Sequence, residues 1–218
     1  MLIDTGTGKD KYQTDPVPEG KPIPVEPEDV EIGDAEYTCT LSISCATILD
    51  NMDLCKKEKR ELVPEDGWIL KPMTVTFYEG ESVFNILQRT CKQQKIHMEF
   101  ENTPIYNSAY IEGIGNLYEF DCGEVSGWMY KVNGWFPNYG CSRYQLQNGD
   151  VIEWVYTCDL GDDVGGGYAT GSANEKQRRF FGISSRDQFS ILRTGAAVFD
   201  VPDAPGLSGN FPDRRAGV

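Results

Sequence analysis

The residues of this 218-residue chain best suited to chemistry are its cysteines, at Cys39, Cys45, Cys55, Cys91, Cys122, Cys141 and Cys158. No two form a CxxC pair and His97 is the sole histidine, so the common zinc spacings are missing and a thiolate–histidine site has little to build on. Spread-out cysteines without metal spacing read as disulfides, which belong to an oxidising compartment. An odd number leaves one thiol over, and six paired cysteines allow about 15 connectivities. The candidates are Cys39, Cys45, Cys91, Cys122, Cys141 and Cys158, with no pairing assigned. Cys55, in the charged, turn-like LCKKEKR, is the expected leftover: an incidental thiol, one that pairs between molecules, or one made reactive by Lys56 and Lys57.

Other reactive groups are sparser. His97 falls in an expected strand on the face of Glu99, and no GxSxG elbow occurs. Paired carboxylates for glycoside hydrolysis need a larger cleft than about 120 residues supply, so a hydrolase is a distant third reading. Asp159, Asp162 and Asp163 in DLGDDVGGG offer oxygen ligands, but the EF-hand spacing is absent and a solvated acidic linker is the simpler reading. No metal or cofactor is expected.

The aromatic residues are denser. Trp128, Tyr130, Trp135, Phe136, Tyr139, Tyr144, Trp154 and Tyr156 crowd one short stretch, and on alternating strands one set must be core. Burial in the core is the commoner fate of any single member; Trp135, Phe136 and Tyr139, just after a turn where a strand end meets a loop, are the best candidates for an exposed, ligand-facing edge. The candidate ligand-binding set is Trp128, Tyr130, Trp135, Phe136, Tyr139 and Tyr144.

These side chains need a scaffold, and periodicity predicts one. YTCTLSISC (37–45) alternates with Cys39, Leu41, Ile43 and Cys45 on one face, the pattern of a half-buried strand. A second strand is expected at 68–78. Glu79, Gly80, Glu81 and Ser82 then open a helix with the stripe Val83, Ile86, Leu87, Thr90 and Cys91, the early carboxylates suiting its positive end. Further strands are expected near 96–101 and 105–112. SGWMYKV, Asn133-Gly134 and WFPNYG read as a hairpin around a type I′ turn, and QNGD (147–150) leads into a last strand, VIEWVYT (151–157). Strands around one helix in this order predict an α+β fold resembling the β-grasp arrangement, a mixed sheet packed on one helix.

Composition sets the surroundings. The net charge of -14 argues against nucleic acid, whose binding depends on clustered cations. No apolar run approaches the roughly 18 to 20 residues needed to cross a bilayer, and no signal peptide opens the chain, so it reads as a mature or trimmed form. Residues 1–36 carry ten Asp or Glu, three Lys and repeated Pro, which predicts a flexible, semi-extended tether with polyproline character. Residues 161–218 read as a Gly-rich linker and a basic, disordered tail in which Phe180, Phe181, Phe189, Ile191 and Leu192 offer a short amphipathic helix. The expected folded domain is 37–160.

The stretch SGWMYKVNGWFPNYGCSRYQLQNGDVIEWVYT (126–157) resembles the signature of the domain family related to the C-terminal domain of transcobalamin and intrinsic factor. Gly127-Trp128, Asn133-Gly134 and Gly149-Asp150 carry the likeness, and VTFYEGESVFNILQ (75–88) fits the strand, turn and helix that open the family's core. The resemblance covers about residues 37–160. In Gram-positive bacteria such domains occur on secreted and surface-attached proteins. It therefore implies a non-catalytic ligand-binding module, extracellular or attached to the cell surface, with a cobalamin-type corrinoid as the first small-molecule ligand. The alternative is a protein–protein or cell-wall adhesion module presenting the aromatic edge to another surface protein.

Overall fold

Alternation writes the first strand. In β1 (Glu36–Ser44) the side chains of Cys39, Leu41 and Ile43 enter the core, with Cys45 buried just beyond. The chain turns through α1 (Thr47–Asp50) and a 3-10 turn at Lys57–Leu62 and returns as β2 (Trp68–Tyr78), antiparallel to β1 from Glu36 opposite Tyr78 to Ser44 opposite Trp68. The computed structural model describes residues 9–12 and 14–170; the expected basic tail and its short helix lie outside them.

Helix α2 (Val83–Gln94) buries Val83, Ile86, Leu87, Thr90 and Cys91, the expected stripe. Its cap differs from expectation. Ser82 and Asn85 form a capping box, the Asn85 N–H donating to Ser82 Oγ and the Ser82 N–H to Asn85 Oδ1, which satisfies end donors that the helix itself cannot. Glu81 instead accepts from the Tyr78 N–H and pairs with Arg89. A side chain hydrogen-bonded within its own turn is committed there, so Ser82 takes the cap.

Next comes a three-stranded antiparallel sheet of β3 (Met98–Thr103), β4 (Ser108–Ile114) and β5 (Leu117–Tyr118). Then β6 (Gly127–Val132) and β7 (Val151–Thr157) complete the larger sheet, ordered β2-β1-β7-β6, with β7 parallel to β1 and antiparallel to β6. One parallel pair between antiparallel neighbours, with Val83, Ile86 and Leu87 of α2 packed on Leu41, Ile43 and Ile152, is an α+β, β-grasp-like fold.

The hairpin expectation is half corrected. Asn133 and Gly134 do form the tight turn at positive φ (52° and 75°), closed by Val132 and Trp135 backbone bonds of 2.9 and 3.0 Å. Residues 135–140, however, form no strand. β7 takes the edge of β6, held by Asn133 Oδ1 accepting from the Val151 N–H and by Asn133 Nδ2 donating to Asp150, and Pro137 has no N–H to give a ladder. Residues 135–146 instead arch across to α2, where the Val83 N–H donates to the Tyr144 carbonyl and the Leu146 N–H to the Glu81 carbonyl.

The cysteine expectation is corrected more sharply. Cys55, the expected leftover, is bonded to Cys122, while Cys39, Cys45, Cys91, Cys141 and Cys158 are unpaired and buried. The charge around Cys55 has a structural reason. Lys56 and Lys59 pair with the buried Asp121 at 2.9 and 3.1 Å, and the Lys56 N–H donates to the Asp121 carbonyl, which aligns two turns so that their cysteines meet. Burial pushes the Asp121 carboxyl up, but the Tyr118 N–H and the two ammonium groups outweigh it and hold it below its ordinary value. Burial also pushes the thiols of Cys39, Cys45, Cys91 and Cys141 up to about 12 and that of Cys158 to about 11. They are small core residues rather than nucleophiles.

Candidate functional site

The arch at 135–146 and the strand below it assemble most of the expected aromatic set. Tyr130 donates its hydroxyl to the Tyr139 carbonyl (2.8 Å), Tyr139 stacks on Tyr144 with centroids 6.2 Å apart, and Trp135 meets Tyr139 edge-on at 6.1 Å. Burial pushes the phenols of Tyr130, Tyr139 and Tyr144 up, so they remain neutral. Trp128 and Phe136 lie apart. Trp128 donates to the Leu117 carbonyl and packs on Tyr156 between the sheets, while Gly166 approaches the Phe136 ring so closely that a β-carbon there would lie 2.9 Å from it.

The expected open edge is closed. Trp135, Phe136 and Tyr139 are 8%, 3% and 7% exposed. Phe136 is covered by the Gly-rich segment after β7, and the other two by residues of the N-terminal segment 14–36, which is docked on the domain rather than free as the expected flexible tether. The Tyr139 hydroxyl donates to the Pro22 carbonyl (2.7 Å), Asn138 Nδ2 to the Asp15 carbonyl (3.1 Å), and Lys21 lies over the Trp135 ring. Composition points to a flexible tether and carries no signal for docking.

Arg143 holds both ends of it. At one end the Val25 N–H donates to the Arg143 carbonyl (2.9 Å), and Arg143 Nε donates to the Val25 carbonyl (3.2 Å). At the other the guanidinium reaches Thr14 Oγ1 and Asp10 Oδ2, both at 2.7 Å, beneath the Tyr12 ring. Both side chains of this ion pair are 1% exposed. Residues 14–25 are thus a loop closed at a single side chain. Neither Arg143 nor Asp10 is marked in the sequence, because the two are 133 positions apart and nothing local requires them to meet.

Burial pushes the Asp10 carboxyl up, but the Arg143 guanidinium and the N–H groups of Thr14 and Tyr12 outweigh it and hold it below its ordinary value. The stabilisation from this group is therefore present in full above its unfolded value, about 3.9, and fades as pH falls through the lower folded one. Acidification carried far enough below about pH 3.9 to protonate Asp10 in the folded chain is expected to expose Trp135 before the domain unfolds, read as a tryptophan fluorescence step that Asp10→Asn removes.

Beside the aromatic cluster lies a groove of about 530 Å3 bounded by strap residues 25–32, the start of α2 (80–85), the β3–β4 hairpin (102–109) and Ser142. Its floor is fixed: the Ala109 N–H donates to Ser142 Oγ (3.0 Å) and the Ser142 N–H to Ser108 Oγ (3.3 Å), and a β-carbon on Gly140 would strike Ser108. Phe84, Val25 and Val30 supply apolar wall, Asn85 and Asn102 supply amides, and no charged side chain lines it. Periodicity does not reveal this groove, which is made by loops and one strand edge.

The remaining candidates have structural roles. His97 Nε2 lies 2.8 Å from the Tyr118 hydroxyl and 3.1 Å from Glu99. Asp163 accepts from the Cys158 N–H (2.7 Å) and bonds the Thr157 hydroxyl, closing the end of β7. Among the described residues no three His, Cys, Asp or Glu gather to hold a metal, and no helix is long and apolar enough to cross a membrane.

A family model described as Domain of unknown function (DUF4430) matches residues 80–158. That span takes in α2, the groove floor, the aromatic cluster and Arg143, and leaves out the strap, β1 and β2. No curated protein matches the chain. Among solved structures, haptocorrin in complex with Cbi is similar at 14% identity over 58% of this chain and 26% of that one, with a TM-score of 0.43. A Ruminococcus gnavus ATCC 29149 protein named for a proposed metal binding is similar at 11% identity over 56% of this chain and 96% of that one, with a TM-score of 0.34. The matched part spans about a quarter of the haptocorrin chain.

Proposed function

We propose that residues 37–160, with the strap docked on them, form a non-catalytic ligand-binding module of an exported or surface-attached protein, with the groove between the strap and α2 as its site. The observation that supports this is the groove itself. Its volume of about 530 Å3 falls within the range of ligand pockets, about 300–1,000 Å3. Apolar walls with a few amides and hydroxyls, on a floor held by hydrogen bonds, favour an uncharged ligand that carries amides or hydroxyls of its own. The Cys55–Cys122 bridge supports an oxidising compartment. Residues 9–12 and 14–36 are the strap of this module, and residues 161–218 read by composition as its Gly-rich extension and basic tail.

A corrinoid is the first ligand to test. The sequence resemblance points to it, its periphery bears neutral amides, and the groove would take one edge of such a molecule. Cyanocobalamin at one hundred times its dissociation constant would add about 2.7 kcal/mol of stability, a rise of several degrees in Tm. Asn102→Trp, at an exposed position on the groove wall, is expected to fill the groove and abolish the rise while leaving the Tm without ligand unchanged. No rise at saturation, or a full rise in Asn102→Trp, would overturn the proposal.

A further inference from the structure

We infer that the face formed by Trp135, Asn138, Tyr139 and Arg143 is a receptor for an extended, proline-rich, acidic peptide segment of another protein, and that the strap is its competitor in cis. This goes beyond the groove reading and is argued from a different face, the two sharing Val25.

The strap is held as a ligand is held. Residues 14–25 read TDPVPEGKPIPV, with four prolines. Proline backbones are stiff and offer carbonyls without N–H groups, so they lose little entropy on binding and need donors opposite. The face supplies donors: the Tyr139 hydroxyl to the Pro22 carbonyl, Asn138 Nδ2 to the Asp15 carbonyl and Arg143 Nε to the Val25 carbonyl. Aromatic surface beneath, Trp135 packed edge-on against Tyr139, is the usual floor for such chains. Few side chains enter. Pro24 is buried and Val17 packs partly on the core, while Ile23 between its neighbours is 68% exposed. The guanidinium then takes one carboxylate, that of Asp10, and one hydroxyl, that of Thr14.

The occupant in cis also leaves the face incompletely satisfied. Asn138 Oδ1 is buried and receives no hydrogen bond among the described residues, at a cost that a peptide with an N–H at that point would avoid. A second copy of the chain would bring the same strap with the same deficit, against a cis strap present at an effective concentration on the order of millimolar. A foreign segment can bring a better match, and so the partner is a different protein.

The test uses the full chain and a fluorescent peptide of residues 9–26 as probe. Asp10→Ala/Thr14→Ala loosens the latch from the strap side and leaves the face intact. Peptide binding by anisotropy is expected to be at least tenfold tighter to this variant than to the unaltered chain, and about fivefold weaker again when Tyr139→Phe is added. Hydrogen exchange is expected to show residues 14–25 released in the variant. Equal peptide affinity for both chains, no binding with the strap released, or a strap still protected in the variant would each overturn the inference. So would dimerisation of the variant at micromolar concentration, which would make a second copy the occupant. Cyanocobalamin binding in the groove is read separately, through Asn102→Trp.

Discussion

Removing the Cys55–Cys122 bridge is expected to lower the stability of the domain by about 4 kcal/mol. The two cysteines are 67 positions apart, and chain entropy alone assigns about 4 kcal/mol to a closed loop of that size. The loop contains β2, α2 and the whole three-stranded sheet, so the bridge limits how far these elements separate from β1 and β7 in the unfolded chain. It also lies in a second core cluster, where Ile48, Leu117 and Tyr156 surround it. The pairs from Lys56 and Lys59 to Asp121 survive reduction and still bring the turns together, but Lys56 is half exposed and Lys59 only partly buried, so solvent screening keeps each pair to about 1 kcal/mol. Urea unfolding with and without reductant, together with Cys55→Ala/Cys122→Ala, measures the effect. A loss below about 1 kcal/mol would show that the bridge does not staple the fold.

Arg143→Met is expected to cost about 3 to 5 kcal/mol, the range for breaking a buried ion pair from one side. The substitution fills much of the volume but leaves the Asp10 carboxylate, the Thr14 hydroxyl and the Val25 carbonyl without the donor they share. The strap has an escape that a core segment lacks: it can lift off and let Asp10 regain water. Loss of protection at residues 10–25, measured by hydrogen exchange, therefore precedes global unfolding, and Trp135 becomes accessible to a fluorescence quencher. Asp10→Leu/Arg143→Met removes both charges and is expected to recover more than half of the loss, because no uncompensated charge remains. A double variant as unstable as the single one would mean that the strap is held by Tyr139 and Asn138 rather than by the ion pair.

Short-range periodicity controls the part of the fold that is legible in the residues. β1, β2, α2 and β7 lie where alternation and the helical stripe place them, and the β-grasp-like order comes from one helix among strands of this sequence. The Asn133-Gly134 turn is legible because two adjacent positive φ angles restrict residue choice. The path of residues 135–146 is not, since β7 begins 18 positions beyond Asn133 and competes for the same edge of β6. Long-range electrostatics are hidden for a related reason. The lysines beside Cys55 read as a solvated turn unless Asp121 stands opposite, and the acidic, Pro-rich opening reads as a spacer because the buried Asp10 carboxylate meets an arginine 133 positions along the chain. The aromatic residues are legible as a cluster, but whether a cluster is open depends on what lies over it.

The parallel pairing of β1 and β7 also has a mechanical consequence. A pull applied between Glu36 and Thr157, once the strap has come away, runs lengthwise along both strands in opposite directions. The five register pairs from Thr40–Val151 to Ser44–Val155 then carry the load together in shear, instead of opening one after another like a zipper. Under tension the centre of the larger sheet is its strongest seam, and the latched strap is the part that yields first.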